Sequence, residues 1–193
     1  MTPELPEATR VALRVIDGLE ALGIPYHLGG SLASSFHGVL RHTQDIDVVV
    51  ELSIDAVDLL VSRLGVDFYV DAGAARRAVL SSDSFNLIHR ETAIKLDLFV
   101  RGNSAFDREE FARAQLVALP GFEDRLVRVK SAEDTLLRKL RWYQDGGRVS
   151  ERQWNDVLGV ARVQRERLDR GYLERWAREL EVADLLDRVL QAE

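Results

Sequence analysis

Apolar residues recur at helical spacing at the start of the chain and again throughout its last third. Near the start, Val11, Val15 and Leu19 fall on one side of a helix. The predicted helix therefore runs from Glu7 to Leu22, and Gly23 ends it. Three further helices are predicted over residues 132–144, 151–164 and 171–193.

The middle of the chain is built differently, because short stretches there alternate between apolar and polar positions. Such alternation predicts half-buried strands. Among them, a helix is expected to begin at Gly29-Gly30-Ser31 and end near Gly38, and another is expected from Ser53 to Leu64. Residues 74–80 fit either a short helix or a loop, and 109–114 fit a helical turn. The predicted strands are 25–28, 45–50, 67–70, 84–89, 93–100, 115–119 and 126–129.

This order of elements predicts an α/β protein with a mixed, twisted sheet, flanking helices and a C-terminal helical subdomain. We expect residues 1–129 to form the core and residues 130–193 to form the helical subdomain. No Pro/Ser-rich linker separates the two segments, so we expect two lobes that share a cleft and not two independent domains.

The amino-acid composition excludes several classes of function. No cysteine occurs among the 193 residues, which excludes disulfides, zinc–thiolate sites and thiol nucleophiles. Hydrophobic residues make up 46% of the chain, yet no apolar run approaches the roughly 20 residues that span a bilayer. The first ten residues lack the pattern of a signal peptide. We therefore expect a soluble, cytoplasmic protein with no membrane partner.

The net charge of −6 does not favour a protein that binds nucleic acid through overall basic charge. A basic stretch nevertheless lies between Arg125 and Arg141. Most of its side chains are expected to solvate helix faces, although a local surface there could also meet phosphate groups.

Two carboxylates carry the first candidate chemistry. Because side chains alternate along a strand, Asp45 and Asp47 share one face, while Ile46 and its apolar neighbours share the other. Like charges so placed repel each other unless a cation neutralises them. Magnesium is suited to this role, since it prefers carboxylate and phosphate oxygens.

A third carboxylate follows in the run Lys95-Leu96-Asp97. If its strand lies beside residues 45–50, Asp97 joins Asp45 and Asp47. Three carboxylates can hold one or two magnesium ions, which lie about 3.5–4 Å apart in two-metal sites. Asp97 could also accept the proton of an attacking hydroxyl. Lys95 is expected to be a neighbour of these carboxylates or an exposed charge.

The turn Gly29-Gly30-Ser31 supplies a candidate phosphate site. Glycines let backbone N–H groups approach a phosphate closely, and the start of a helix favours negative charge. The Ser31 hydroxyl can donate to a phosphate oxygen. Arg41 and Thr43 precede the aspartate strand, where they either contact nucleotide phosphates or close a turn.

Taken together, Gly29-Gly30-Ser31, Asp45-Ile46-Asp47 and Lys95-Leu96-Asp97 resemble the DNA polymerase β-like nucleotidyltransferase superfamily. Within it, the run from Arg41 to Asp47 is most similar to the AbiEii-type branch, which includes toxins of toxin–antitoxin pairs. The resemblance implies an α+β nucleotidyltransferase fold and magnesium-dependent transfer of a nucleoside monophosphate from a nucleoside triphosphate such as ATP. It also implies a hydroxyl-type acceptor, in RNA such as tRNA, in protein or in a small molecule, and an antitoxin partner.

A second match lies in the helical segment, where Lys139 and Asp156 resemble downstream motifs of the same branch. The resemblance implies that Lys139 contacts the triphosphate, that Asp156 orients or supports the site, and that residues 130–193 complete the nucleotide cleft. From its position on a helix alone, Lys139 would be read as a solvated side chain. Asp156 is expected to be partly buried and to need a partner, for which Lys139 is a candidate.

The sequence also leaves alternative functions open. A nucleotidyltransferase-like protein that binds a nucleotide or a partner without turnover is the main alternative, although three intact carboxylates count against it. A toxin of a two-gene pair is another hypothesis. Hydrolase chemistry finds no support, since Ser31 lies in no Gly-x-Ser-x-Gly motif. The four histidines, at positions 27, 37, 42 and 89, lack ligand spacing and are expected to be structural or surface residues.

Overall fold

The computed structural model describes residues 7–38, 46–119 and 122–192. The strands are β1 (Tyr26–Leu28), β2 (Ile46–Val50), β3 (Phe68–Val70), β4 (Ser84–His89), β5 (Lys95–Val100), β6 (Gln115–Leu119) and β7 (Phe122–Val129). The helices are α1 (Glu7–Ala21), α2 (Gly30–His37), α3 (Val57–Leu64), α4 (Ala72–Ser81), α5 (Ala105–Ala112), α6 (Ala132–Asp145), α7 (Glu151–Gln164), α8 (Arg170–Glu179) and α9 (Ala183–Gln191), with a 3-10 turn over Ile54–Ala56.

These elements belong to two units. The sheet unit comprises Met1–Gly29 and Thr43–Val129, and the helical unit comprises Gly30–His42 and Lys130–Glu193. The strands, α1, α3, α4 and α5 lie in the sheet unit, whereas α2 and α6 to α9 lie in the helical unit. The α2 segment thus joins the helical unit although the chain places it between β1 and β2.

The strands form one mixed sheet in the order β3-β4-β5-β2-β1-β7-β6. Two neighbouring pairs are parallel, β2 with β5 and β1 with β7, and the other neighbours are antiparallel. The predicted α/β class is therefore confirmed, and the predicted strands are present with ends that shift by up to four residues.

One face of the central strands forms the core of the sheet unit. Ile46, Val48 and Val50 on β2 are buried, as are Leu96 and Leu98 on β5. The intervening residues of β2 and β5 are more exposed, so the predicted alternation between an apolar and a polar face is correct.

Helix α1 lies close to α3 because Gly18 has no side chain. A Cβ atom at Gly18 would lie only 2.7 Å from Cδ2 of Leu64, a residue that is itself buried in α3. This glycine, inside an otherwise apolar helical pattern, therefore reflects close packing of two helices.

The helical unit is organised around α6, which is buried along most of its length. Ser131 caps this helix: its Oγ accepts from the Asp134 N–H at 3.1 Å and donates to Asp134 Oδ2 at 2.6 Å. The Tyr172 hydroxyl of α8 donates to the other oxygen of Asp134 at 2.6 Å. Helix α2 packs against α6 and α7, and a Cβ at Gly38 would lie 2.9 Å from the Val160 nitrogen.

Several helix predictions need correction. The predicted helix 171–193 is two helices, because Glu181 adopts a left-handed φ of 57° between α8 and α9. The buried positions are five residues apart across this break, from Ala177 to Val182, which a continuous helix cannot keep on one side. The turn predicted over 109–114 is the longer α5, which begins earlier because Ser104 and Asp107 form a capping box.

Two other helix starts also differ from expectation. Ser53 makes no capping hydrogen bond, and the chain after it forms the 3-10 turn before α3 begins. The ambiguous segment 74–80 is the helix α4, whose N-terminus is capped by Asp71 through the Ala74 N–H at 2.9 Å. Among the helices described, none combines the length and the apolar character that crossing a membrane requires.

Candidate functional site

Asp47 and Asp97 lie side by side in the sheet unit. They are register partners on the parallel strands β2 and β5, so their Cα atoms are separated by about the 4.8 Å between neighbouring strands. Both side chains leave the sheet on the face opposite the apolar core, and both are partly exposed. The sequence predicted that Asp97 lies beside Asp47 if their two strands are neighbours, and the structure shows that they are.

Lys95 joins this pair from the same strand as Asp97. Its Nζ lies 2.9 Å from Oδ1 and 3.2 Å from Oδ2 of Asp97. The ion pair is open to solvent, with the Lys95 side chain 53% exposed and the Asp97 side chain 24% exposed. Lys95 is thus a neighbour of the carboxylates, and it offsets part of their mutual repulsion.

The two carboxylates fit a magnesium ion in their chemistry, since they offer adjacent, partly exposed oxygen ligands on one face of the sheet. Among residues 7–38, 46–119 and 122–192, no set of three His, Asp or Glu side chains is placed to hold a metal. The remaining predicted carboxylate, Asp45, lies outside the described residues, as do Arg41 and Thr43. The described part of the site therefore supplies two carboxylates.

Asn86 extends the row of polar side chains by one strand. It lies on β4 as the antiparallel register partner of Asp97, and it is exposed. Asn86, Asp97 and Asp47 consequently occupy adjacent positions on three neighbouring strands. Asn86 is not among the site residues predicted from the sequence, although the pairing of 84–89 with 93–100 and the alternation of β4 could have identified it.

The far end of the same sheet face is covered by α5. His27, the register partner of Val49, is fully buried, and its ring packs 5.2 Å from the Phe111 ring of α5. Phe111 is also contacted by the Arg101 guanidinium, at 5.9 Å from the ring centroid. Helix α5 thus covers the end of this face that carries His27, whereas the carboxylates lie toward the end where Lys95 and Asn86 remain exposed.

The glycine pair continues this row and begins α2. The Gly29 N–H donates to the Asp47 carbonyl at 2.9 Å, so this amide is used within the sheet. Gly30 has a φ of 52°, a left-handed conformation that favours glycine, and it is the first residue of α2. Gly29 therefore belongs to the sheet hydrogen bonding, and Gly30 makes the sharp turn into the helix.

Ser31 lies in the first turn of α2 and meets Arg152 of the helical unit. Arg152 Nη2 lies 3.3 Å from Ser31 Oγ, although the two residues are 121 positions apart in the chain. Ser31 is nearly buried, at 9% exposure, whereas Arg152 is exposed at the start of α7. Arg152 is not among the site residues predicted from the sequence, because no local periodicity links it to Ser31.

Lys139 and Asp156 form a buried ion pair between α6 and α7. The Lys139 Nζ lies 2.8 Å from Asp156 Oδ2 and 3.4 Å from Gln153 Oε1. The two charged side chains are 4% and 10% exposed. The expected partnership is confirmed, and the interpretation of Lys139 as a solvated side chain is wrong because its stem and ammonium are packed in the helical unit.

No protein-family model matches the chain, and no curated protein matches it either. Solved structures do match it. The crystal structure of ANT(2")-Ia in complex with adenylyl-2"-tobramycin has a TM-score of 0.56 and 15% identity, over 90% of this chain and 97% of that one. An antigenic nucleotidyltransferase-like protein from Paracoccidioides brasiliensis has a TM-score of 0.56 and 18% identity, over 96% of this chain and 92% of that one.

A third similar structure is the lincomycin-bound lincosamide antibiotic adenylyltransferase LnuA. It has a TM-score of 0.52 and 14% identity, and the match covers 83% of this chain and 99% of that one. Identities this low show the fold alone. The chain therefore has the mixed α/β fold of nucleotidyltransferases.

Proposed function

We propose that this chain is a nucleotidyltransferase that transfers a nucleoside monophosphate from a nucleoside triphosphate to an acceptor hydroxyl. The observation that carries the proposal is the register pairing of Asp47 with Asp97 on one partly exposed face of a nucleotidyltransferase-type sheet. Two like charges at adjacent positions of a sheet repel each other, whereas carboxylates so placed are favourable ligands for a divalent cation.

In the proposed reaction, the acceptor oxygen forms a bond to the α-phosphorus and the bond from that phosphorus to the bridging oxygen of pyrophosphate breaks. The acceptor proton leaves to the Asp97 carboxylate or to solvent, and pyrophosphate carries the electron pair of the broken bond. One or two magnesium ions, when bound, would stabilise the charge on the phosphate oxygens and activate the attacking hydroxyl. Asp45, Asp47 and Asp97 are the proposed ligands.

The phosphate contacts are proposed to come from the start of α2. Gly30 has no side chain to obstruct a phosphate, and the Ser31 hydroxyl can donate to one. The role proposed for Gly29 is to let a phosphate approach the backbone closely, because the Gly29 N–H is already used in its hydrogen bond to the Asp47 carbonyl. Lys139 and Asp156 would support the site by fastening α6 to α7, and a direct contact of Lys139 with phosphate stays a prediction.

The finer identity of the protein is also a proposal. The run from Arg41 to Asp47 favours the AbiEii-type branch, with ATP as one candidate donor and tRNA, another RNA, protein or a small molecule as candidate acceptors. Antibiotics are the small molecules in the structures of ANT(2")-Ia and LnuA. If the chain is a toxin, its expression should arrest growth and an adjacent gene product should restore it. Normal growth would count against that role.

Pyrophosphate release tests the proposal without knowledge of the acceptor. Each nucleoside triphosphate would be incubated with magnesium, the protein and either a small-molecule extract or cellular macromolecules. Release that requires an acceptor and disappears in Asp97→Asn would support transfer. Binding of a triphosphate with no release under any of these conditions would instead support the alternative, a catalytically silent nucleotide-binding protein.

A further inference from the structure

Beyond the carboxylates, the exposed face of the sheet continues over β4 and β3. Asn86 of β4 is the register partner of Asp97, and Ile88 is the register partner of Lys95. Ile88 in turn pairs with Tyr69 on β3. Ile88 is 40% exposed, Tyr69 is 57% exposed, and Asn86 is exposed as well. These last three residues, the outer patch, therefore place one amide and two apolar side chains at the surface of the sheet unit.

The glycine turn lies on the opposite side of the carboxylate pair. Because β1 neighbours β2 and β4 neighbours β5, the pair lies between Gly29, at the end of β1, and Asn86. The Gly29 N–H donates to the Asp47 carbonyl at 2.9 Å, which holds this turn beside the β2 member of the pair. Since the proposed phosphate contacts come from this turn, the pyrophosphate part of the donor lies on the β1 side.

The geometry of the proposed reaction then fixes the side from which the acceptor arrives. The attacking and leaving oxygens lie roughly in line through the phosphorus atom. With pyrophosphate on the β1 side and the metal at Asp47 and Asp97, the acceptor oxygen approaches from the β4 side. Its bond to the α-phosphorus forms as the bond to pyrophosphate breaks. Its proton passes to Asp97, which is the carboxylate nearer to β4.

The charge on the β4 side disfavours a polyanionic acceptor. Within β3, β4 and β5, whose residues are all described, Lys95 is the only cation on the exposed face, and it pairs with Asp97 at 2.9 Å. Proteins that bind RNA hold its phosphates with several lysine or arginine side chains. Two exposed apolar side chains beside an amide instead suit an uncharged molecule.

The size of the outer patch fits a small molecule. Tyr69 and Ile88 lie on neighbouring strands, about 4.8 Å apart, so together they cover roughly the width of one ring. A stable protein partner needs a far larger surface, on the order of 1,000 Å². The flat ring of Tyr69 can pack against the face of another ring, and the Asn86 amide can both donate to and accept from hydroxyl groups.

We propose that the outer patch binds the acceptor, and that the acceptor is a small, uncharged hydroxyl compound that contains a ring. The Asn86 amide binds this compound beside its reacting hydroxyl, and Ile88 and Tyr69 pack against its ring. The inference rests on the proposed function, because it assigns the acceptor side of that reaction. Asparagine is disfavoured in strands, so stability alone does not account for Asn86 inside β4.

The test measures label transfer from each α-labelled nucleoside triphosphate, at saturation and with magnesium, to two sources of acceptor. One source is a small-molecule extract from which an anion exchanger has removed polyanions, and the other is total cellular RNA and protein. Wild type should label a species in the extract. Asn86→Val and Tyr69→Ala should each raise the amount of extract that gives half the maximal rate. The expected increase is about threefold to tenfold, as for one lost hydrogen bond or ring contact.

Matched variants control for loss of the fold and for general surface effects. Tyr69→Phe keeps the ring and should behave as wild type. Leu59→Ala truncates an apolar residue of α3 that is 59% exposed, and Asn103→Ala removes an exposed amide outside the strands. Neither should change the half-saturating amount of extract. Asn86→Val introduces a residue that strands favour, so its melting temperature should equal or exceed that of wild type.

Manganese affinity, measured by electron paramagnetic resonance, separates acceptor binding from metal binding. Asn86→Val should bind manganese as wild type does, because the metal ligands are the carboxylates of the neighbouring strands. Weaker manganese binding in this variant would assign Asn86 to the metal and overturn its acceptor role.

The remaining outcomes distinguish the inference from the function on which it rests. Transfer to the extract with the wild-type half-saturating amount in both Asn86→Val and Tyr69→Ala would overturn the acceptor surface and leave the transfer proposal intact. Transfer only to RNA or to protein would also overturn it, since the acceptor would then be a macromolecule. An increase in Leu59→Ala as large as in Tyr69→Ala would reduce the effect to general exposure. Absence of transfer by wild type to either source would overturn both proposals.

Discussion

Asp47 and Asp97 are register partners on the parallel strands β2 and β5, so their carboxylates leave the same face of the sheet at adjacent positions. Lys95 approaches Asp97 to 2.9 Å and offsets part of the negative charge. A divalent cation bound to these carboxylates would offset more of it. We therefore expect that a divalent metal ion binds at this carboxylate pair and stabilises the native state.

Magnesium should raise the melting temperature of the wild type, because a ligand that binds only the native state stabilises it. Asp47→Asn should lose most of this increase. Without metal, its free energy of unfolding should stay within about 1 kcal/mol of wild type, since a partly exposed like charge is removed. Thermal unfolding over a magnesium series measures both effects. The control Asp55→Asn, at an exposed carboxylate of the 3-10 turn, should respond to magnesium as wild type does.

Replacing Lys95 should strengthen metal binding. In Lys95→Gln, the cation that occupies both oxygens of Asp97 is gone, so the affinity for manganese, used as a spectroscopic substitute for magnesium, should rise several-fold. Electron paramagnetic resonance of free manganese gives this affinity directly. Lys95→Arg keeps the positive charge and should bind as wild type does. Weaker binding in Lys95→Gln would show that Lys95 orders the carboxylates and does not compete with the metal.

Breaking the buried pair of the helical unit should be costly. Lys139→Met leaves Asp156 without its countercharge at 10% exposure, and the free energy of unfolding should fall by about 3–5 kcal/mol. The double variant Lys139→Met/Asp156→Leu should recover most of the loss, because an apolar pair can replace a buried ion pair. Urea denaturation provides the measurement.

The exposed pair between Arg148 and Asp184 is the comparison for this prediction, with side chains 43% and 53% exposed. Asp184→Asn should cost no more than about 1 kcal/mol. A similar cost for Lys139→Met would mean that Lys139 is solvated in the native state, contrary to its described environment.

Stability should depend on His37 at mildly acidic pH. Burial lowers the pKa of His37 below its usual 6.5, and the hydrogen bond to the Lys130 carbonyl and the charge of Glu133 oppose this shift only in part. The unfolded chain therefore binds a proton before the native state does, so stability is full above about pH 6.5 and decreases as the pH falls from there toward the native pKa. The imidazole Nε2 lies 2.6 Å from the Lys130 carbonyl oxygen, to which it donates.

The experiment compares wild type with His37→Gln, which can still donate to that carbonyl. Urea denaturation at about pH 7.5 and about pH 5.5 should show a smaller decrease for the variant than for wild type. An equal decrease in the two proteins would assign the pH dependence to other groups.

Local patterns were sufficient for much of the sheet. Alternation along 46–50 and 95–100 correctly identifies the buried face and therefore the face that carries Asp47 and Asp97. Their adjacency is a pairing between strands about fifty residues apart, which alternation alone does not specify. The expectation that Asp47 and Asp97 are adjacent came from the motif resemblance, and the register of β2 with β5 shows this adjacency.

The remaining features depend on contacts distant in sequence. The contact of Arg152 with Ser31 spans 121 residues and has no periodic signal. The burial of Lys139 depends on α7 packing against α6, whereas an isolated helical pattern leaves a lysine solvated. The break between α8 and α9 lies where the buried positions Ala177 and Val182 are five residues apart, but the apolar Leu180 between them hides this spacing in the sequence. That residues 130–193 complete the nucleotide cleft stays a prediction.

The most direct measurement is incubation of the protein with magnesium, each α-labelled nucleoside triphosphate and total cellular RNA, protein or small molecules. Wild type should transfer label to a discrete acceptor species with stoichiometric release of pyrophosphate. Asp47→Asn and Asp97→Asn should each reduce the rate at least about a hundredfold, because each removes a proposed metal ligand or base. Transfer at the wild-type rate by both variants would contradict the account, since the adjacent carboxylates could not then be the centre of the reaction.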